Sequence, residues 1–121
     1  MIRFINCVRR RADISSEEFR QFWNDPKFDA LISRVMAYTG ATGHVKDLTL
    51  MVEANVLMRQ WRGGAAPPFD GVLEYSWKNA SQLHSVLHTP QCDQLMHAML
   101  EYQKQFVDLE KSCAFFTEAQ E

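Results

Sequence analysis

Long apolar runs, paired cysteines and a surplus of one charge are all missing from this 121-residue chain, and each absence removes a class of protein. Its longest apolar stretches are only a few residues, so nothing reads as a membrane-spanning helix. Residues 1–11 have no apolar h-region behind their charges and do not read as a signal peptide. Cys7, Cys92 and Cys113 are odd in number, distant in sequence and form no Cys-x-x-Cys. A secreted disulfide framework and a structural zinc site therefore give way to free, mostly buried thiols. Lys plus Arg total 13 against 15 Asp plus Glu, a net charge of −2 that does not suit a basic nucleic-acid binder. Arg9-Arg10-Arg11 is too short for a nucleic-acid footprint and reads as a solvated strand end. A P-loop, a dinucleotide fingerprint and a Gly-x-Ser-x-Gly elbow are absent as well. What remains is one soluble, cytoplasmic domain over residues 1–121, with no metal or cofactor expected. A domain of this size often completes its core by oligomerising.

What is present is a regular alternation of patterns. Ile2–Val8 alternates as a strand, with Ile2, Phe4, Asn6 and Val8 on one face. Ser15 and Glu18 stand at capping-box spacing ahead of a helix whose stripe runs through Phe19, Phe22 and Trp23 to Leu31, Ile32 and Val35. Pro26 must kink or split that helix near Asn24 and Asp25. Residues 44–50 read weakly as a second strand, and 51–60 as either its extension or a short helix. Residues 63–68, Gly-Gly-Ala-Ala-Pro-Pro, form a loop before a third strand, Gly71–Trp77. Asn79 or Ser81 caps a second helical region, which Pro90 interrupts. It resumes over residues 91 to about 111 with Leu95, Met99, Tyr102 and Phe106 in register. Residues 114–117 are a short closing strand. The order β-α-β-β-α-β predicts an α+β, ferredoxin-like domain of four antiparallel strands with helices on one face. The other sheet face also carries bulky apolar residues, and a symmetric dimer would cover it.

Three segments carry a family resemblance. Arg9-Arg10-Arg11 followed by Ser15-Ser16-Glu17-Glu18-Phe19 and Phe22-Trp23 resembles the opening of the EthD family. Phe69-Asp70-Gly71-Val72-Leu73-Glu74 resembles its central strand, and Asp108 through Phe116 its closing one. The resemblance implies a dimeric α+β barrel and a homodimer. It also implies relatives encoded beside monooxygenases that degrade ethers and aromatics, relatives that are polyketide decarboxylases and cyclases, and a wider group that includes cofactor-free monooxygenases. The sequence departs from the family in two places: Lys27 stands where the first helix usually has His, and Gly40 where a Tyr usually precedes Gly43-His44-Val45.

His44 is the leading chemical candidate, since imidazole moves protons near neutral pH at a strand start. Its competing role is that of a surface residue. Glu74, mid-strand among apolar neighbours, becomes a base if it faces the interior, and an ion-paired or solvated carboxylate if it does not. Tyr38 offers a hydroxyl to orient a substrate. Trp23, Phe22, Trp77 and Phe69 are candidate walls of an apolar cavity, or simply core. Asp70 and Gly71 read as backbone-shaping residues. His84 and His88 have i,i+4 chelate spacing but no third ligand at a motif distance. The expected function is transformation of a small hydrophobic, aromatic or polyketide-like molecule without cofactor, by oxygenation, decarboxylation or isomerisation. The alternatives are a non-catalytic ligand-binding or accessory protein of a monooxygenase system, and a dimer whose core is filled by its own side chains.

Overall fold

The computed structural model describes residues 1–120 and bears out the alternating order. β1 (Ile2–Val8) leads to α1 (Ser16–Trp23) and α2 (Pro26–Thr39). β2 (Gly43–Leu48) and β3 (Gly71–Trp77) flank α3 (Ala54–Trp61). α4 (Ser81–Val86) and α5 (Pro90–Gln103) precede a 3-10 turn, Leu109–Lys111, and β4 (Cys113–Glu118). The strands form one antiparallel sheet in the order β2-β3-β1-β4, a ferredoxin-like α+β arrangement.

Local chemistry explains the boundaries. Ser15 accepts a hydrogen bond from the Glu18 amide while Glu18 accepts one from the Ser15 amide, a complete capping box. The helix then breaks where Pro26 predicts. Asp25 caps α2 by accepting from the Lys27 amide, and Pro26 takes the first-turn position where its missing N–H costs nothing. Thr89 and Pro90 repeat the device at α5. Gly40 ends α2 at φ 75°, a left-handed conformation that favours glycine.

One ambiguity resolves in favour of the short helix, and two expectations need correction. Residues 54–61 are helical, and α3 occupies the β2–β3 connection with Val56, Leu57 and Trp61 exposed. α5 ends at Gln103 rather than near residue 111. The chain turns there so that Phe106 drops into the core and Val107 bridges to Arg10. The arginines are not simply solvated. Arg9 lies over the Phe69 ring at 4.3 Å, and the Arg10 amide donates to Asp70 Oδ2 at 2.8 Å. Arg11 Nη2 pairs with Asp13.

In β3 the burial alternates without exception. Gly71, Leu73, Tyr75 and Trp77 face the helices together with Phe4, Asn6 and Val8 of β1, which lie opposite them. An aromatic cluster of Phe19, Trp23, Phe28 and Phe106 fills one end of this layer, with Phe22 stacked on Phe106 at 5.2 Å. Each such ring contributes roughly 1.5–3 kcal/mol through burial. Gly71 is required at its end of β3, because a Cβ there would lie 2.8 Å from the Trp23 ring. The opposite sheet face carries Ile5, Val72, Val45 and Phe115, and among the described residues no helix packs over it. Val45 and Phe115 stand in solvent. Among the described residues, no helix is long and apolar enough to cross a membrane.

Candidate functional site

At the other end of the layer, helices and sheet do not close against each other. A cavity of about 350 Å³ remains between them. Its floor is the helix-facing row of the two central strands: Phe4 and Asn6 of β1 with Leu73, Tyr75 and Trp77 of β3. Its roof comes from α2, α4 and α5, through residues such as Val35, Leu83 and Met99. Met96 and Leu100 of α5 and Phe116 of the edge strand β4 line it and are 38–51% exposed, which places its mouth between α5 and β4.

The walls are mainly apolar and the polar groups few. Asn6 Nδ2 donates to the Leu73 carbonyl at 3.1 Å. Trp77 Nε1 donates to the Thr39 carbonyl at 3.1 Å, so its indole edge is satisfied and its ring serves as wall. Cys92 lies in the lining with its thiol pushed up by burial and, less, by the neighbouring Asp93 charge. Asp93 is an exposed carboxylate of the lining, in the first turn of α5. Tyr75 is the exception to satisfaction. It is only 5% exposed, yet its hydroxyl is buried with no hydrogen-bond partner. Burial raises its ionisation well above the usual tyrosine range, so the neutral O–H persists. An orphaned buried hydroxyl costs about 1–3 kcal/mol, and among the explanations for such a group is a ligand that completes it.

The structure does not assemble the sequence-derived candidates into one site. Of the seven, Trp77 lines the cavity. Trp23 is 1% exposed in the aromatic cluster, and Phe22 packs beside it against Phe106 and Tyr102. Phe69 lies under Arg9 in the loop before β3. His44 is opposite Tyr75 in register, on edge strand β2, and is exposed. Glu74 falls on the sheet face away from the helices, between Ile5 and Val45, because neighbours of Tyr75 along a strand must point the other way. Tyr38 bonds through its hydroxyl to Thr89 Oγ1 at 2.6 Å, tying α2 to the cap of α5. Asp70 and Gly71 do shape the backbone as expected. α4 ends at Val86, so His84 and His88 do not share a helix face.

Sequence reasoning passed over Tyr75, Asn6 and Asp93. Tyr75 had a signal: it shares the inward row with Leu73 and Trp77, and a tyrosine there needs a partner for its hydroxyl.

Comparison with solved structures gives the fold a context. An EthD family protein from Bacillus halodurans superposes with a TM-score of 0.61 at 10% identity, covering 99% of each chain. The chain has the fold of an EthD family protein. A dimeric protein of unknown function and ferredoxin-like fold from Bacteroides fragilis gives 0.59 at 13% identity, over 98% of this chain and 95% of that one. A mutant of SnoaB, a cofactor-independent oxygenase from Streptomyces nogalater, gives 0.52 at 13% identity over 99% and 93%. No protein-family model matches the sequence, and no curated protein does. Identities this low establish shared architecture and leave the chemistry to the site.

Proposed function

We propose that the protein binds a small, mostly apolar aromatic or polyketide-like molecule in the cavity between helices and sheet, and transforms it without a bound cofactor. The observation that carries this reading is an apolar cavity of about 350 Å³ floored by an unpartnered buried tyrosine hydroxyl. That volume lies at the low end of small-molecule sites, about 300–1,000 Å³. It suits a ligand that is apolar over most of its surface and carries one oxygen for Tyr75. Trp77 and Phe4 offer flat walls to an aromatic ring. Asp93 is the carboxylate of the lining available to accept a proton from an acidic phenol or ketone. The resulting electron-rich anion can itself reduce dioxygen. In oxidation of an activated CH₂ to C=O, one oxygen atom enters the product, the other leaves as water, and the substrate supplies the electrons. A cofactor-independent oxygenase of the same fold shows that this architecture can house such a reaction.

A second reading has its own support. His44, Glu74 and Tyr38 all lie outside the cavity, which leaves a lining poor in acid–base groups and suited to a non-catalytic binding protein. In both readings a second copy covers the helix-free sheet face. Exposed Val45 and Phe115 on that face and the dimeric relative of the same fold support that homodimer.

The experiment is calorimetric titration with naphthols and anthrone-type hydroxyaromatics, alongside oxygen uptake in metal-free, flavin-free buffer. The Leu100→Trp variant narrows the mouth without entering the core, because Leu100 is 38% exposed. Affinity is expected to fall at least about tenfold, equivalent to about 1.4 kcal/mol. Equal binding by wild type and variant overturns the site. Binding with no product leaves the binding-protein reading and refutes the enzyme.

A further inference from the structure

The charge around the cavity is one-sided. Among the described residues that line it, Asp93 alone carries a formal charge, and no lysine, arginine or histidine stands with it. Among the described residues the Asp93 carboxylate also enters no ion pair, whereas Glu101 of the same helix is held by Lys104 at 2.8 Å. Asp93 lies in the first turn of α5, on the side that roofs the cavity. Neutral Gln103 closes the same side ten residues on, about 15 Å along the helix axis. The negative charge therefore marks one end of the cavity. Its field reaches the wall: burial first, and the Asp93 charge after it, hold up the thiol of Cys92, which lines the same space. The Tyr75 hydroxyl on the floor, buried and without a partner, is a second fixed point, a neutral donor open to a ligand oxygen.

We propose that Asp93 sets the specificity of this site: it selects aromatic molecules that bear an oxygen for Tyr75 and a protonated amine for Asp93, and it rejects the same aromatics bearing a carboxylate. The inference rests on the cavity being the ligand site, as proposed above, and adds the charge that the ligand carries. A protonated amine beside Asp93 gains a charge-assisted hydrogen bond. A neutral hydroxymethyl group in the same place donates a weaker one. A carboxylate there meets a like charge, and the lining holds no cation to offset it. Asp93 is exposed, so water and salt weaken its pull. At contact distance near a surface the scale is still about tenfold in affinity for each unit of ligand charge. The rest of the lining is mainly apolar, which keeps the remainder of the ligand apolar too.

The test is anaerobic calorimetric titration of the full chain, which reads binding without turnover, with three naphthols of similar size. They carry an aminomethyl, a hydroxymethyl or a carboxyl group on the ring remote from the phenol. Near neutral pH, wild type is expected to bind them in that order, with about a hundredfold between the first and the last. Asp93→Asn should compress the series to within about threefold, and Asp93→Lys should invert it. Both replacements fall at an exposed position and leave the core intact. Glu101→Gln, which removes an equal charge from the same helix outside the lining, should keep the wild-type series. If none of the three binds wild type, the cavity reading falls and this inference falls with it. If all three bind within about threefold of one another, the cavity stands and the selectivity is overturned. An order that persists in Asp93→Asn, or that Glu101→Gln abolishes as fully, overturns the role of Asp93.

Discussion

Replacing Tyr75 by Phe removes one oxygen atom from the floor of the cavity and little else, and its effects on stability and binding should have opposite signs. The hydroxyl is buried without a partner, so the free protein carries its desolvation cost, about 1–3 kcal/mol. Phenylalanine keeps the ring packed against Trp77, 6.2 Å between centroids, and removes the cost. The ligand-free variant should therefore be more stable than wild type. With about 2.1 cal/mol/K of unfolding entropy per residue, the 121-residue chain gains about 4 °C in Tm for each kcal/mol. A rise of about 4–12 °C is expected by calorimetry or dye-based melting. The bound state should respond in the opposite direction. A hydroxyaromatic that hydrogen-bonds Tyr75 loses about 0.5–1.5 kcal/mol of affinity in the variant, roughly a two- to tenfold weaker Kd. Saturating ligand should then narrow the gap in Tm between the two proteins. A variant that melts lower than wild type and binds equally well would refute the reasoning, because the hydroxyl would then be a satisfied structural group rather than one awaiting a ligand.

Two further outcomes test the frame around the site. Gly71→Ala places a methyl 2.8 Å from the Trp23 ring, with Trp23 packed in the core; a loss of about 1–3 kcal/mol is expected in urea unfolding, and an unchanged midpoint would show that the ring has room to move. Alkaline stability should fall between pH 10 and about pH 12. Burial first, and the charges of Asp25 and Asp29 after it, push Tyr102 from 10.0 up to about 12, and burial pushes Tyr75 higher still. A raised folded-state value means the contribution is whole below the unfolded value and lost as pH rises through the folded one. Tyrosinate absorbance near pH 11 should accordingly lag behind that of the urea-unfolded chain, and coincident titrations would remove the argument.

The architecture was legible because its signals are local. Alternation in Ile2–Val8 and Gly71–Trp77 is the imprint of one buried face, and Pro26 and Ser15 mark helix boundaries by covalent and capping chemistry. The end of α5 was misread for a physical reason. Tyr102 and Phe106 keep helical spacing, but Phe106 reaches the core through a turn after Gln103, and periodicity cannot separate those two routes. The site was less legible, because its chemistry depends on register and depth. Glu74 is an interior base or an ion-paired or solvated carboxylate according to which face the helices cover. Tyr38 and Tyr75 look alike in sequence, and only packing satisfies one hydroxyl and strands the other. Cys7 and Cys113 became neighbours only through the β1–β4 pairing.

That pairing also has a consequence for synthesis. Of the four strands, the one made earliest sits in the interior of the sheet, flanked by β3 and β4. β1 has no hydrogen-bonding neighbour until residue 71 has been made, and its other edge stays open until Cys113–Glu118 emerges. The nascent chain must therefore carry an apolar strand unpaired until β3 has been made, and such edges are prone to stray association. Closing the sheet is a single late event in which β1 and β4 meet, and slow folding with strong dependence on an intact β4 is the kinetic signature expected of it.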